Sequence, residues 1–435
     1  MKDALDFEAV TQAALVTFPE RGGMGPMNPL AIEITLFKKS AGVLSKTIAA
    51  AADGSPVSDG SACRMSSGEA KRMPLPDGAQ ALADLIDNMA PNEALSLGRL
   101  APGVGESAPV TTVSRLRSGP EGTIARSRDF LEFLPGAPAF MLLDVDRKGM
   151  PQEVADRINA AGGVVSLLAE LFPGLMKAAR VERASTSAGI FNTATGQTFA
   201  GSGGMHIYAL VEDGADIPRA LAALNDRLWL NGCGWLHVGA AGQILARSIV
   251  DASVGSPERL VFEGAPIIEP PLAQDLDARR AIARPGIAVD TRPAVPSLSE
   301  AERGQLEQIR GAERRRIASE VIAIRAAADL TLAREIADRE GIPIETASRQ
   351  VKARHDGVLT PGMSLVMDDE ALGEVTVADV LKNPDAFVGE TLADPLEGPA
   401  YGPCKAMIMR DRDTGGVFIN SFAHGGARYR LCYDR

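Results

Sequence analysis

Aromatic side chains are scarce in this chain: they make up 4% of its 435 residues, with two Trp and four Tyr. So few rings exclude the broad stacking platforms by which passive single-strand coating proteins hold bases. The four cysteines, Cys63, Cys233, Cys404 and Cys432, are scattered and contain no C-x-x-C pair. No disulfide framework follows from that spacing, and a reducing cytoplasm is the expected setting. No run approaches the roughly 18 uninterrupted apolar residues of a membrane span, so no membrane association is expected. An excess of basic residues is lacking too, since the formal net charge is −11. The molecule as a whole does not attract polyanions, although a locally basic cleft stays compatible with that balance. Neither an internal repeat nor a low-complexity tract occurs, and the phosphate-loop pattern G-x-x-x-x-G-K-[ST] is absent.

What is present is an ordinary globular composition, 45% apolar and 23% charged, in a chain too long for one compact core. Residues 30–50 predict a strand, a Lys-Lys-Ser-Ala-Gly turn and a return strand. Apolar spacing predicts helices over 78–88, 151–161 and 217–230, and strands over 205–212, 236–238 and 244–251. The polar stretch 102–132 reads as a surface connection. This mixture of helices and strands predicts an α/β or α+β domain over 1–265. Six prolines between Pro266 and Pro296 predict a stiff linker over 266–297. Ser299 and Glu302 then form a capping box ahead of a helical stripe of Leu306, Ile309, Ile317, Val321 and Ile324. A helical module over 298–355, broken at Gly341, and a small C-terminal module over 356–435 complete the expected organisation. The helix after Gly341 carries Arg349, Lys352 and Arg354, which fits either a DNA-reading helix pair or two packed helices with a solvated face.

Three segments carry chemistry. Residues 139–146, AFMLLDVD, are an apolar strand that ends in Asp144 and Asp146. Alternate residues of a strand point to one side, so the two carboxylates are expected to aim at one spot and hold Mg²⁺ or Mn²⁺. Taken alone, the pair also fits an acidic turn after a buried strand. The second segment, Gly201-Ser202-Gly203-Gly204-Met205-His206, opens another apolar strand. Glycines there let backbone N–H groups approach phosphate oxygens, and His206 can donate to a phosphate or a sugar hydroxyl. Asp251 ends a third apolar run, as a candidate third metal ligand.

In this order the segments resemble the archaeo-eukaryotic primase superfamily, in particular the primase-polymerase-like proteins of phages, plasmids and mobile elements. The resemblance spans most of residues 30–265 and includes Arg183-Ala-Ser185-Thr-Ser187-Ala-Gly189. It implies an RRM-like catalytic core within an α+β fold, and template-directed nucleotidyl transfer on single-stranded DNA with NTP or dNTP. By that analogy Asp144, Asp146 and Asp251 hold two divalent ions, while His206, Ser202, Gly203 and Gly204 grip the incoming nucleotide. Arg183, Ser185, Ser187 and Lys148 are further candidate phosphate or template contacts. The segment Ile419–Gly426, INSFAHGG, resembles one found between primase and helicase modules. With no helicase motif in the chain, a separately encoded helicase is an expected partner.

Other readings stay open at this stage. A metal-dependent glycosyltransferase also uses an apolar D-x-D, and a non-catalytic replication-initiation protein could keep the fold. Cys404, His424 and Cys432 are considered as zinc ligands, but they lack any close pair. His237, in an apolar strand, reads as a core histidine, and His355 as part of a polar turn.

Overall fold

The run Phe140–Leu143 is apolar at every position, which suits a strand buried on both faces, and all four side chains are at most 2% exposed. Burial on that scale stabilises by about 1.5–3 kcal/mol per side chain. A computed structural model shows how the rest of the chain is built around this strand. It describes residues 32–435, apart from 114, 117, 118, 148, 370, 403, 412, 423–426 and 433–435. The architecture is α+β.

The acid strand, Ala139–Val145, lies antiparallel to the histidine strand, Met205–Val211. That strand lies antiparallel to the arginine strand, Arg180–Ala184, which in turn pairs with Ile282–Arg284. Helices Gln152–Ala160 and Val164–Leu171 follow the acid strand, and Ile217–Leu230 follows the histidine strand. Their apolar faces, with Val154, Ile158, Leu168, Leu221 and Leu224, enter the same core as the sheet. The free side of the acid strand receives residues 249–251 through an antiparallel bridge between Val145 and Val250.

A second sheet forms from the residues before the acid strand. In it Ile32–Lys39 pairs with both Gly68–Leu75 and Glu93–Ser96. The expected hairpin over 30–50 is therefore corrected. Both strands exist, but Thr47–Ala50 pairs instead with Pro56–Asp59 and Ile267–Ile268. The polar stretch 102–132 also contributes a strand to this sheet, Ser107–Thr111.

The expected linker is a second correction. Ile267–Ile268, Leu272–Gln274 and Ile282–Arg284 each pair with a strand of the preceding body. Ala281, Val289 and Val295 are buried in the main core. Proline bars helix and interior ladder positions but leaves short extended edge segments, so a proline-rich stretch can be laid along a core without being a spacer.

Ser299 caps the 41-residue helix Glu300–Glu340 with the reciprocal capping box, and Gly341 ends it in a left-handed conformation at φ 63°. The stripe of Leu306, Ile317 and Val321 packs with Trp229, Leu236 and Leu298. Ile344–His355 folds back on the long helix through Ala333, Ile336, Ala347 and Val351. His355 closes that helix rather than a turn, its Nε2 2.7 Å from Asp329. The C-terminal module has its own five-stranded sheet and a core that includes Leu365, Val377, Leu392, Ile408 and Ile419. Among the described residues no helix is long and apolar enough to cross a membrane.

Candidate active site

Residues opposite one another on antiparallel strands share a face of the sheet. Asp144 is opposite His206, and His206 is opposite Arg183, so the three form a row across the sheet. His206 Nε2 lies 3.4 Å from an oxygen of Asp144, while Nδ1 donates to Glu263 Oε1 at 2.5 Å. Glu263 arrives from the segment after the last core strand and is 1% exposed. It also accepts from the Tyr208 hydroxyl at 2.5 Å, Arg183 Nη1 at 2.9 Å and Arg279 Nη2 at 3.2 Å.

A carboxylate this deep persists only when paired and hydrogen-bonded. Burial pushes the Glu263 carboxyl up, but the charges of His206, Arg183 and Arg279 hold it well below the usual carboxylate range. Burial likewise opposes charging of His206, yet Glu263 and Asp144 raise it well above the usual imidazole range. His206 is thereby kept as a cation whose Nε2 faces the acid strand. Burial and the Glu263 charge also push the Tyr208 hydroxyl up, so it stays protonated and donates.

Arg183 departs from its expected part. Its guanidinium is buried, bonded to Glu263 and to the carbonyls of Ile86, Glu263 and Arg279. Facing inward, it holds Glu263 and ties the end of the helix Ala79–Asp87 to the sheet, so the expectation of a direct phosphate contact is revised.

The three acids stand at neighbouring strand ends. Asp251 N–H donates to the Asp144 carbonyl at 2.9 Å, and Asp146 N–H to the Ile249 carbonyl at 3.3 Å. Their carboxylates have separate partners. Asp144 faces His206, Asp146 lies 3.7 Å from Arg247, and Asp251 accepts from Ser253 N and Oγ at 2.8 and 2.9 Å. Among the described residues no three Asp, Glu, His or Cys side chains are gathered closely enough to hold a metal ion. The strand ends at Val145; Asp144 on it faces His206, and Asp146 one residue beyond it lies beside Arg247. By donor type and backbone adjacency the set nevertheless suits a hard divalent cation, which takes carboxylate oxygens.

The glycine loop brings three of the expected hydroxyls together. Ser185 Oγ lies 3.0 Å from both Ser187 Oγ and Ser202 Oγ, and Ser187 Oγ donates to Ser202 Oγ at 3.1 Å. Ser202 N–H donates to Ser187 Oγ at 2.9 Å, and Gly204 N–H to Ser202 Oγ at 3.3 Å. Gly203 has φ +67°, and a Cβ there would lie 3.1 Å from Arg147 Cδ, so an arginine rests against the loop. The Nε of Arg147 is buried without a hydrogen-bond partner among the described residues. Lys148 lies outside the described residues, as does His424.

Sequence reasoning missed Arg147, Arg247, Glu263 and Arg279. Glu263 ends a short apolar run before Gly264, a pattern shared by many turns, and only the folded chain puts it under His206. Cys404 and Cys432 are free and partly buried. No family model, no curated protein and no solved structure matches this chain.

Proposed function

We propose that this chain is a primase-polymerase-like nucleotidyltransferase that makes or extends primers on single-stranded DNA from NTP or dNTP. The observation that carries the reading is the pairing of Asp144 with His206 on adjacent core strands, with the Asp251 backbone bonded to Asp144. This sets three strand-end acids, a held imidazolium and a glycine loop side by side.

The topology supports it. In chain order the acid strand is followed by two helices, the arginine strand, the short strand Ile190–Asn192, the histidine strand and a helix, and then by the hairpin of Gly234–Val238 with Ile244–Ser248 and an extended segment at Val250. In space that segment, at Val250, is followed by the acid strand, the histidine strand and the arginine strand, all antiparallel. Taken as a β-α-β-β-α-β unit, with Ile282–Arg284 added beyond the arginine strand, this arrangement resembles the RRM-like core that the reading calls for.

Asp144, Asp146 and Asp251 would hold Mg²⁺ or Mn²⁺, which when bound supplies activation of the attacking 3′-hydroxyl and neutralisation of the leaving pyrophosphate. The protein's own groups do the rest. His206 Nε2–H donates to a phosphate oxygen of the nucleotide, in a charge-assisted bond that is stronger than a neutral one. The hydroxyls of Ser185, Ser187 and Ser202, with the Arg147 guanidinium beside Gly203, present further donors to the phosphates. Glu263 fixes the imidazole ring from behind, so its Nε2 stays aimed at the acid strand.

The test is incorporation of labelled nucleotide on single-stranded DNA with Mg²⁺ or Mn²⁺. Synthesis is expected from the native chain and not from the Asp144→Ala, Asp146→Ala variant. Undiminished synthesis by that variant overturns the reading, and transfer from a nucleotide-sugar instead of polymer growth replaces it.

A further inference from the structure

Two of the three strand-end acids are each faced by a cation. Asp144 lies 3.4 Å from His206 Nε2 and Asp146 lies 3.7 Å from Arg247 Nη1, whereas Asp251 accepts from Ser253. The two cations are held in different ways. His206 is fixed from behind by Glu263 at 2.5 Å, and the Tyr208 ring meets its own edge-on. Among the described residues the Arg247 side chain has no such backing. It is 33% exposed and Asp146 is 46% exposed, and at 3.7 Å their ion pair is too long for a hydrogen bond.

The backbone that carries Arg247 is fixed. Arg247 stands opposite the buried Trp235 on the hairpin of Gly234–Val238 with Ile244–Ser248. At the tip of that hairpin Arg325 Nη2 donates to the Gly242 carbonyl at 3.1 Å. At its base the Ile249 carbonyl accepts from Asp146 N–H at 3.3 Å. Rotation of the long arginine side chain is therefore enough to part Arg247 from Asp146, and the strands that carry the acids stay in place. A guanidinium keeps its charge at any ordinary pH, so it leaves only when something competes for the carboxylate or for itself. A divalent cation competes for the carboxylate oxygens. Phosphate oxygens compete for the guanidinium, whose planar fork of donors matches them.

We propose that Arg247 is a gate on the metal-nucleotide site: it holds the Asp146 carboxylate in the free protein and passes to the nucleotide's phosphates as a divalent cation takes that carboxylate. A divalent cation alone has to displace Arg247 and leave it unpaired beside a second positive charge, so it binds weakly. With a triphosphate present the displaced guanidinium gains a new partner, so cation and nucleotide bind together. The identity of the ligand rests on the nucleotidyltransferase reading; the competition at Asp146 does not depend on polymer synthesis.

The experiment titrates Mn²⁺ into the full chain by calorimetry without nucleotide, then titrates a non-hydrolysable nucleoside triphosphate analogue at saturating Mn²⁺. Arg247→Gln is expected to bind Mn²⁺ alone about fivefold more tightly, the upper end of what an exposed pair contributes. The same variant is expected to bind the analogue about tenfold more weakly, through loss of one charge-assisted contact. Arg247→Lys, which keeps the charge, is expected to return the Mn²⁺ affinity to the native level. Absence of either shift in folded Arg247→Gln overturns the gate. Unchanged Mn²⁺ affinity in Asp144→Asn and in Asp146→Asn overturns the metal site and the gate with it. Both shifts in Arg247→Gln, with no nucleotide incorporation by the native chain, keep the gate and overturn the polymerase reading.

Discussion

His206 and Tyr208 donate to the same oxygen of Glu263, Oε1, each at 2.5 Å, although they are two residues apart on one strand. Alternate strand residues share a face, so one buried carboxylate can bind both, while its other oxygen takes Arg183 and Arg279. A group with four charged or polar partners is the hinge on which the geometry of His206 turns.

Glu263→Gln keeps the size of the side chain and removes its charge. Arg183 and Arg279, both under 8% exposed, then lose their buried counter-charge, and Arg183 keeps only the half-buried Asp87 at 3.7 Å. Breaking a buried pair in this manner costs about 3–5 kcal/mol. Urea unfolding should show that loss. An unchanged midpoint would mean that the network carries no net stability.

The same pair sets a pH window for stability. His206 is raised in the folded chain, so its contribution is complete below the ordinary value of 6.5 and is lost as pH rises toward about 10. Glu263 is lowered, so its contribution is complete above the ordinary 4.5 and is lost as pH falls toward about 2. The pair therefore stabilises most between these ordinary values. Thermal unfolding from acid to alkaline pH should show the His206→Gln variant losing the alkaline part of the native decline. A native-like decline in that variant would assign it to other groups.

The parts legible in the sequence were those fixed by short-range pattern. The acid strand and histidine strand announced themselves by apolar runs with polar ends, and Ser299 with Glu302 by local capping chemistry. Ser185, Ser187 and Ser202 each stand in a legible motif, yet their mutual contact needs residues 15–17 positions apart to meet. Glu263 lies 57 residues from His206, and no local pattern encodes that pairing. The proline-rich stretch is illegible for a related reason: proline signals the absence of helix, whereas Ala281, Val289 and Val295 show that an extended path runs through the core.

That path has its own clamp. Arg219 grips Asp216 with two bonds at 2.7 Å and donates to the carbonyls of Val295 at 2.7 Å and Thr291 at 3.1 Å. Asp216 is 6% exposed, and the Arg219 bonds hold its carboxyl below the usual range. Arg219→Ala should release residues 291–296 and cost about 1–3 kcal/mol. Hydrogen exchange of that segment is the measure, and native protection there in the variant would show that packing of Val295 suffices.

The glycine loop offers a steric test of the site. A Cβ on Gly204 would stand 2.9 Å from the Val145 carbonyl oxygen and 3.4 Å from Ser202 Oγ. The carbonyl belongs to the acid strand and cannot yield without disturbing Asp144, so the loop has to move. Gly204→Ala should thus pull Ser202 away from Ser185 and Ser187 while leaving the buried Glu263 network intact. Overpacking of this kind costs about 1–3 kcal/mol, a small part of which appears in global stability if the loop absorbs the shift. The expected outcome is a folded protein whose affinity for Mg-nucleotide falls about tenfold. Ser202→Ala, which removes the hydroxyl without moving the backbone, should lose less. Equal affinity of native chain and Gly204→Ala in equilibrium binding would place the phosphates away from this loop.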